Sequence, residues 1–500
     1  MAETFHNLLL GFSVSLAPLN LFYCFVGVLL GTVVGVLPGL GSAATIALLL
    51  PITFHMPATP AIIMLAGIWY GSMYGGSITS ILLRVPGEAA SVMTCVDGFE
   101  MARQGRAGAA LGIAAFGSFI AGTVGVVGLM FLAPPLAEFA LEFGPPEYFA
   151  LTTLGLTLVS YLGSKSVPKA LSMAVVGLLL GTVGLDPVRS AERFTFGSLS
   201  LQGGIELVPM VIGLFGLAEV FLMLERRLRV EDVVRTPTGL LDVLPTRQNW
   251  RDSAGAIARG TLVGFLVGVL PGAGATISSF VAYALEKRRS RHPERFGAGA
   301  IEGVAAPEAA NNSATAGGFI PLLTLGIPGN VVTALMLGAF LLHGIAPGPT
   351  LLTQRPEMFW GVVTSMYVGN VMLLILNIPL IGLFTRIARV PASILGPLIV
   401  LVCLAGTYGV NNNPIDILVM VAFGVAGYLM TKLGYDPAPL VLGFVLGPMV
   451  EMSLRQSLIL SQGSFLIFFG RPIAGVLLGL ALFMVMSQLF HTTTKAVRTR

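Results

Sequence analysis

Two short segments of the chain carry residue types that bind anions through the backbone. Each interrupts an apolar run with proline and glycine, so that the run is predicted to form a hairpin of two short helices. The break frees backbone N–H groups where the helix resumes, and the positive end of that helix favours a carboxylate. The predicted substrate-binding residues are Pro38, Gly39, Gly41, Ser42 and Thr45 in the first segment and Pro271, Gly272, Gly274, Thr276 and Ser278 in the second.

A third polar segment, around residues 307–318, opens a long charge-free stretch. It combines one carboxylate with closely spaced amide and hydroxyl side chains. Their oxygen atoms can replace the water around Na⁺, and an ionisable residue at a membrane edge is a functional candidate. The sequence predicts an ion-coupling site at Glu308, Asn312, Ser313 and Thr315. Asn311 and Asn312 are also predicted to contact the substrate.

Structural explanations compete with these assignments. Close packing between helices also requires glycine, and it is the preferred explanation for Gly27, Gly31 and Gly35, which recur every four residues. Glu308 has the alternative role of a helix cap at the membrane interface. A solvated loop is expected for the charged residues Asp97, Glu100 and Arg103.

Residue types for other chemistry are missing from the sequence or scattered. The five histidines lie far apart, so they favour neither a metal site nor a histidine-based triad. The Gly-x-x-x-x-Gly-Lys-Ser/Thr loop that binds ATP in P-loop proteins is absent. The three cysteines have no metal-binding or disulfide spacing. We therefore expect no enzyme activity and no cofactor beyond a coupling cation, Na⁺ or H⁺.

The elements that position these segments follow from composition. Of 500 residues, 55% are hydrophobic and 10% are charged, against about 25% charged in a soluble domain. Residues 4–83 and 309–354 contain no Asp, Glu, Lys or Arg. A bilayer accommodates such runs as helices, which excludes a soluble enzyme, a nucleic-acid binder and a disordered chain. The sequence predicts an all-α polytopic membrane protein with about 11 to 12 transmembrane segments, including broken or re-entrant hairpins.

The chain also contains an internal repeat. Residues 27–41 and 260–274 share ten of 15 positions at a constant offset of 233. A second pattern, Gly-Gly, nine residues, Pro-Gly, occurs at 75–87 and again at 317–329. A third and looser match follows in each half. Three matches in the same order indicate two related halves.

Equivalent loops of the two halves differ in charge. Residues 286–295 are strongly basic, whereas their counterpart at 53–59 has no charge. The bias reverses at the next pair, where residues 84–106 contain three arginines and residues 326–350 are uncharged. Because basic loops tend to stay in the cytoplasm, the halves are predicted to be inverted-topology repeats. The predicted parts are a first repeat at 1–224 with a hairpin at 19–52, a charged cytoplasmic linker at 225–255, a second, inverted repeat at 256–490 and a basic tail at 491–500.

Several of these segments resemble the large membrane subunit of tripartite tricarboxylate transporters, the TctA-like family. The resembling segments are Gly-Val-Leu-Pro-Gly-Leu-Gly at 35–41, residues 74–80 with 85–88, Gly-Val-Leu-Pro-Gly-Ala-Gly at 268–274, residues 308–312 continuing to 326–329, and residues 442–448 with 451–455. The resemblance implies a multi-pass protein of the bacterial inner membrane that imports citrate or related carboxylates. It also implies a small membrane subunit, a periplasmic substrate-binding protein and coupling to a cation gradient.

The expected function is secondary active import of tricarboxylates or related carboxylates. The alternatives are a passive anion channel built from the same hairpins and a transporter of the same family for a different carboxylate or small organic solute. Uptake against a gradient separates a transporter from a channel. A membrane-embedded enzyme or scaffold is the remaining class, and the spans lack the clustered catalytic residues an enzyme needs. The expected partners include the lipid bilayer and no nucleic acid, and homo-oligomerisation is left open.

Overall fold

The computed structural model describes residues 2–37, 39–162, 166–225, 240–388 and 390–498. Helices dominate the first half of these residues. Their bounds are α1 Ala2–Ser15, α2 Pro18–Val36, α3 Gly41–Thr53, α4 Ala58–Leu83, α5 Val92–Arg103, α6 Ala107–Ala140, α7 Pro145–Leu162, α8 Val167–Leu180, α9 Leu207–Val211 and α10 Ala218–Glu225, with a π-helical turn at Ile212–Leu217 and 3₁₀ turns at Ala89–Ser91 and Leu199–Leu201. A two-stranded antiparallel hairpin pairs β1 Gly184–Leu185 with β2 Glu192–Arg193.

The second half is also helical. Its elements are α11 Leu240–Val243, α12 Arg247–Val269, α13 Gly274–Arg289, α14 Glu302–Leu325, α15 Val331–Leu342, α16 Leu351–Gln354, α17 Pro356–Ile387, α18 Ala392–Asn411, α19 Pro414–Lys432, α20 Ala438–Leu460, α21 Ile467–Gly470 and α22 Pro472–Arg498, with a 3₁₀ turn at Pro293–Arg295. The predicted linker therefore already contains the start of α12, and residues 226–239 of it lie outside the described residues. The predicted basic tail continues α22 as far as Arg498.

Nine helices in the described ranges are long and apolar enough to cross a membrane. Four shorter apolar helices accompany them, among them α3 and α15. The prediction of an all-α polytopic membrane protein is confirmed. The first arm of each predicted hairpin is longer than expected, because α2 has 19 residues and α12 has 23. At about 1.5 Å per residue, each arm alone approaches the thickness of a membrane.

Helix α2 packs backbone to backbone against α4. A Cβ atom at each of three α2 glycines would lie less than 3.0 Å from a carbonyl oxygen of α4, in the pairs Gly27–Met64, Gly31–Ile68 and Gly35–Ser72. Helices α12 and α14 repeat the arrangement in the pairs Gly260–Ala306, Gly264–Ala310 and Gly268–Ala314. The expectation that the α2 glycines serve packing agrees with these contacts. The sequence repeat therefore corresponds to a repeated pair of helices.

Asp97 departs from the sequence prediction. It lies on α5, is fully buried, and its Oδ1 accepts hydrogen bonds of 2.8–2.9 Å from the N–H groups of Gly297, Gly299 and Ala300. The hydroxyl of Tyr283 donates to Oδ2 at 2.8 Å. The prediction of a solvated loop was wrong for Asp97, because its donors come from a distant part of the chain. Asp97 ties α5 to the segment that precedes α14.

Helix α20, Ala438–Leu460, is formed by a segment whose sequence has no clear match in the first half of the chain. It packs on α8, where Gly177 faces the carbonyl oxygen of Leu440. Near its C-terminal end, Arg455 pairs with Asp186 beside the β-hairpin, at 2.8–3.0 Å. The N–H groups of Val188 and Arg189 donate to the same carboxylate. The guanidinium of Arg455, followed by these backbone donors, lowers the pKa of the Asp186 carboxyl.

Candidate functional site

The two predicted anion-binding segments meet at one cavity of about 540 Å³. The break between α2 and α3 and the break between α12 and α13 each contribute part of its wall. The lining residues among the predicted ones are Gly39, Gly41, Ser42, Gly272, Gly274 and Thr276. Segments more than 200 residues apart in sequence therefore form one site, which is called the central cavity below.

Both breaks have the same backbone geometry. Gly39 and Gly272 have φ values of 95° and 87°, and Gly41 and Gly274 have 57° and 55°. These left-handed conformations are disfavoured for residues with a Cβ atom, which explains the two glycines in each copy. Helices α3 and α13 start at the second glycine, and neither has a hydrogen bond from its N-cap side chain. Their first N–H groups are therefore left for another partner at the cavity.

Neighbouring elements crowd the glycines. A Cβ atom at Gly272 would lie less than 3.0 Å from the backbone of Leu158 and Val159 on α7. One at Gly39 would meet the carboxylate of Glu219 on α10. The breaks are thus held from outside by other helices as well as by their own sequence.

Glu88 supplies a partner for the first helix start. Its carboxylate accepts a hydrogen bond from the backbone N–H of Ser42, in the first turn of α3. Asn330 follows the matching Pro-Gly in the second half and lines the same cavity. The Asn330 side chain instead caps α15, accepting from the N–H of Thr333 at 3.0 Å. The two halves therefore differ in charge at equivalent positions.

The central cavity is acidic. Glu88, Glu219 and Asp436 line it, and no Lys, Arg or His is among its described lining residues. Burial raises the pKa of the Asp436 carboxyl, and a hydrogen bond from the N–H of Ala438 opposes that shift. Helix N-termini attract an anion here while the carboxylates repel it.

Of the remaining predicted residues of the two segments, Thr45, Pro271 and Ser278 are not among the lining of the cavity. Thr45 and Ser278 turn onto their own helices, where each hydroxyl donates to the carbonyl oxygen four residues earlier, at 2.7 and 2.8 Å. Pro271 lies next to Gly329. Pro38 lies outside the described residues.

Glu308 lies deep within the protein. It sits in the second turn of α14 and is fully buried, whereas the sequence placed it at a membrane edge. The hydroxyls of Ser77, Thr94 and Ser118 donate to its carboxylate, those of Ser77 and Ser118 at 2.6 and 3.4 Å. The amide of Asn311 approaches it at 3.5 Å. The carboxylate is therefore solvated by hydroxyl groups from three other helices, α4, α5 and α6.

The neighbouring polar residues of α14 face the same interior. The amide nitrogen of Asn312 donates to Ser118 Oγ at 2.8 Å, and Thr315 donates to the carbonyl oxygen of Asn311 at 3.0 Å. Asn312 and Thr315 also line a small void of about 10 Å³. Ser313 Oγ has no hydrogen-bond partner among the described residues. None of these residues, nor Glu308, is among the lining of the central cavity, so the structure does not bring the two predicted groups together there.

Sequence reasoning missed the acidic part of the central cavity. The sequence analysis named neither Glu88 nor Asn330 as a site residue, although both follow Pro-Gly at equivalent positions of the repeat, and this was the available signal. Neither Glu219 nor Asp436 follows a Pro-Gly pair, and the Asp-Pro that Asp436 shares with Asp186 in the looser third match did not single it out. Glu219 and Asp436 reach the cavity from α10 and from the turn before α20, which local sequence does not reveal.

Comparisons with known proteins agree with this architecture. The model of the Tripartite tricarboxylate transporter TctA family matches residues 21–442. An uncharacterized 52.8 kDa protein in the TAR-I ttuC′ 3′ region of Agrobacterium vitis is 50% identical over 489 residues, which is 98% of this chain and 97% of that protein. An uncharacterized protein in the TAR-II ttuC′ 3′ region of Agrobacterium vitis is 50% identical over 226 residues, 45% of this chain and 93% of that protein. No solved structure matches. The chain is therefore a multi-pass membrane component of a tricarboxylate transporter and belongs to the TctA family.

Proposed function

We propose that the chain imports tricarboxylates or related carboxylates across the bacterial inner membrane by secondary active transport. The driving force is a cation gradient, of Na⁺ or H⁺. The chain works with a small membrane subunit and with a periplasmic protein that delivers the substrate. The observation that carries the proposal is the meeting of two glycine-broken helices at one cavity.

The helix starts favour a carboxylate as the transported group. Helices α3 and α13 both begin at the cavity wall and each presents a partial positive charge to it; Glu88 accepts from the Ser42 N–H of α3, whereas Asn330, the counterpart of Glu88, gives α13 no carboxylate. Ser42 and Thr276 add hydroxyl donors at the same wall. A cavity of about 540 Å³ lies within the range of small-molecule sites. Two helix starts suit a substrate with more than one carboxylate.

The acidic lining favours cation coupling. A polycarboxylate entering beside Glu88 and Glu219 is repelled unless positive charge accompanies it. A cation that binds together with the substrate removes this repulsion. Transport of the anion then depends on the cation gradient, which a passive pore does not require.

The repeat favours alternating access. Two copies of the same glycine-packed helix pair flank the cavity, and their loops carry opposite charge bias. Inverted repeats in transporters exchange inward-open and outward-open states around a shared site. The proposed transport cycle follows this scheme.

Uptake into proteoliposomes tests the proposal. The vesicles contain this chain with its small membrane subunit, and labelled citrate is supplied with the periplasmic binding protein, with and without a Na⁺ or H⁺ gradient. The proposal predicts concentrative uptake that requires one of the gradients. Uptake of another carboxylate instead of citrate would change the substrate and keep the mechanism. Downhill equilibration that ignores every gradient would identify a channel and refute secondary transport.

A further inference from the structure

A second, much smaller cavity lies away from the central one. Its volume is about 20 Å³, and α4, α6 and α17 enclose it. Its polar lining consists of Tyr74, Ser77, Ser118 and Asn377, and the rest of its wall is apolar. About 10–15 Å³ is enough to hold one water-sized particle. The cavity therefore has room for a single small ion or water.

Two polar atoms at this cavity have no partner. The hydroxyl of Tyr74 and the side-chain oxygen Oδ1 of Asn377 lack hydrogen bonds among the described residues, although each residue is only 4% exposed. Buried polar atoms are nearly always satisfied, so an unsatisfied pair that lines one cavity points to a bound particle. Both atoms carry lone pairs that can coordinate a cation.

The two serines connect this cavity to Glu308. Ser77 and Ser118 line the cavity, and their hydroxyls donate to Oε2 of Glu308 at 2.6 and 3.4 Å. A hydroxyl has one hydrogen and two lone pairs. When the hydrogen points to the carboxylate, a lone pair of Ser77 Oγ is free to face the cavity, and Ser118 Oγ keeps one lone pair beside the one that accepts from the Asn312 amide at 2.8 Å. The carboxylate thus orients both oxygens for a positive ion.

If Glu308 is ionised, its charge is not balanced by the surrounding residues. It is fully buried, and none of the ion pairs in the described part of the chain includes it. An ionised carboxylate at such depth is costly unless a positive charge lies nearby. One carboxylate balances one monovalent cation.

We propose that the small cavity binds one Na⁺. Tyr74 OH, Asn377 Oδ1 and the serine hydroxyl oxygens are its ligands, and Glu308 supplies the compensating charge from behind the serines. Protonation of Glu308 would neutralise its charge but would leave the Asn377 oxygen without a partner. A bound Na⁺ balances the charge and also coordinates the Asn377 oxygen. The site rests on the proposed function in that its ion is the one coupled to import. The proposed site differs from the ion-coupling site predicted from the sequence. Asn312, Ser313 and Thr315 are not ligands in it, and Glu308 remains as the source of negative charge.

Equilibrium binding of ²²Na⁺ to the purified full chain in detergent tests the site without any substrate. Tyr74→Phe removes only the unpartnered hydroxyl, so the fold loses no hydrogen bond. We expect it to weaken Na⁺ binding about fivefold or more. Tyr367→Phe is the matched control, because its hydroxyl contacts Met130 Sδ and Tyr367 is not among the residues that line the cavity. This control is expected to bind Na⁺ like the wild type.

A second variant keeps the test valid in case Tyr74→Phe impairs folding, because it is expected to gain affinity. Asn377→Asp places a carboxylate at the cavity and is expected to tighten Na⁺ binding. Absence of saturable Na⁺ binding to the wild type would overturn the site, and equal affinity in all the variants would overturn it by placing the bound Na⁺ elsewhere. Citrate uptake driven by H⁺ alone, with no ²²Na⁺ bound, would overturn the site and leave the transport proposal standing. Conversely, Na⁺ binding without carboxylate uptake would refute the transport proposal and not the site.

Discussion

The carboxylate of Glu88 accepts a hydrogen bond from the backbone N–H of Ser42, so an acidic side chain of the protein occupies a helix start that faces the central cavity. Asn330 holds the equivalent position of the second half and is neutral. The helix start of α3 is therefore already engaged, whereas that of α13 has no carboxylate from its counterpart residue. The two halves of the cavity present unequal electrostatics to an anion.

This asymmetry predicts the effect of Glu88→Gln. The glutamine oxygen can still accept from Ser42 N–H, but the negative charge is gone. We expect the KM for carboxylate uptake to fall about tenfold, a change of about 1.4 kcal/mol, because the substrate no longer meets a like charge. Glu100→Gln is the control, since Glu100 pairs with Arg103 away from the cavity. An unchanged or higher KM in Glu88→Gln would contradict the prediction.

A pair of alanine variants separates backbone strain from crowding at the second break. Gly274→Ala meets open space, with Asn330 Cβ at 4.0 Å, so it is expected to cost about 1–2 kcal/mol from the left-handed backbone alone. Gly272→Ala adds a collision with the backbone of Leu158 and Val159, and the loss is expected to exceed about 3 kcal/mol. Thermal unfolding in detergent measures both. Equal losses would show that the α7 contact is unimportant.

Packing between α12 and α14 is tested by Gly264→Ala. The new Cβ atom would lie less than 3.0 Å from the carbonyl oxygen of Ala310, and we expect a loss of about 1–3 kcal/mol in unfolding free energy. Gly382→Ala on α17 is the control, because no atom lies within 4 Å of its Cβ position. Alanine there is expected to be neutral or to stabilise by about 0.5–1 kcal/mol. Equal behaviour of the two variants would contradict the packing assignment.

The pair of Asp186 and Arg455 predicts a dependence of stability on pH. Arg455 lowers the pKa of the folded carboxyl, whereas the unfolded value is about 3.9. The unfolded state therefore binds protons first, so the stabilisation is present above about pH 4 and is lost as the pH falls further. Arg455→Met should flatten the decline of unfolding temperature between about pH 5 and 3. If the unfolding temperature of Arg455→Met declined as steeply as that of the wild type, the pH dependence would have to come from other carboxylates.

The repeat made the central cavity predictable from sequence in outline. The glycines of both breaks had to adopt unusual backbone angles, and symmetry required the breaks to occupy equivalent places. Of the ten residues named for these segments, nine are described by the structure and six of these line the cavity. The sequence could not distinguish Ser42, which faces the cavity, from Thr45, whose hydroxyl bonds to its own helix.

Contacts between residues far apart in the sequence explain why the environments of Glu308 and Asp97 were not predicted. Glu308 follows charged residues and a proline, which resembles a membrane edge in sequence, yet Ser77, Thr94 and Ser118 enclose it from elsewhere in the chain. Asp97 has the local sequence of a solvated turn, but backbone donors near residue 300 bury it. In both cases the deciding contacts join residues about 190 or more positions apart. Local composition carries no information about them.

The glycine contacts of α2 with α4, and of α12 with α14, also restrict how the protein can move. Helices that touch through backbone atoms at three successive turns cannot slide past one another by a residue without Cβ atoms colliding with carbonyl oxygens. Each helix pair is therefore expected to move as one rigid unit. A rearrangement that opens the central cavity to one side or the other therefore has to occur at the contacts between these helix pairs and their neighbours, where larger side chains can repack.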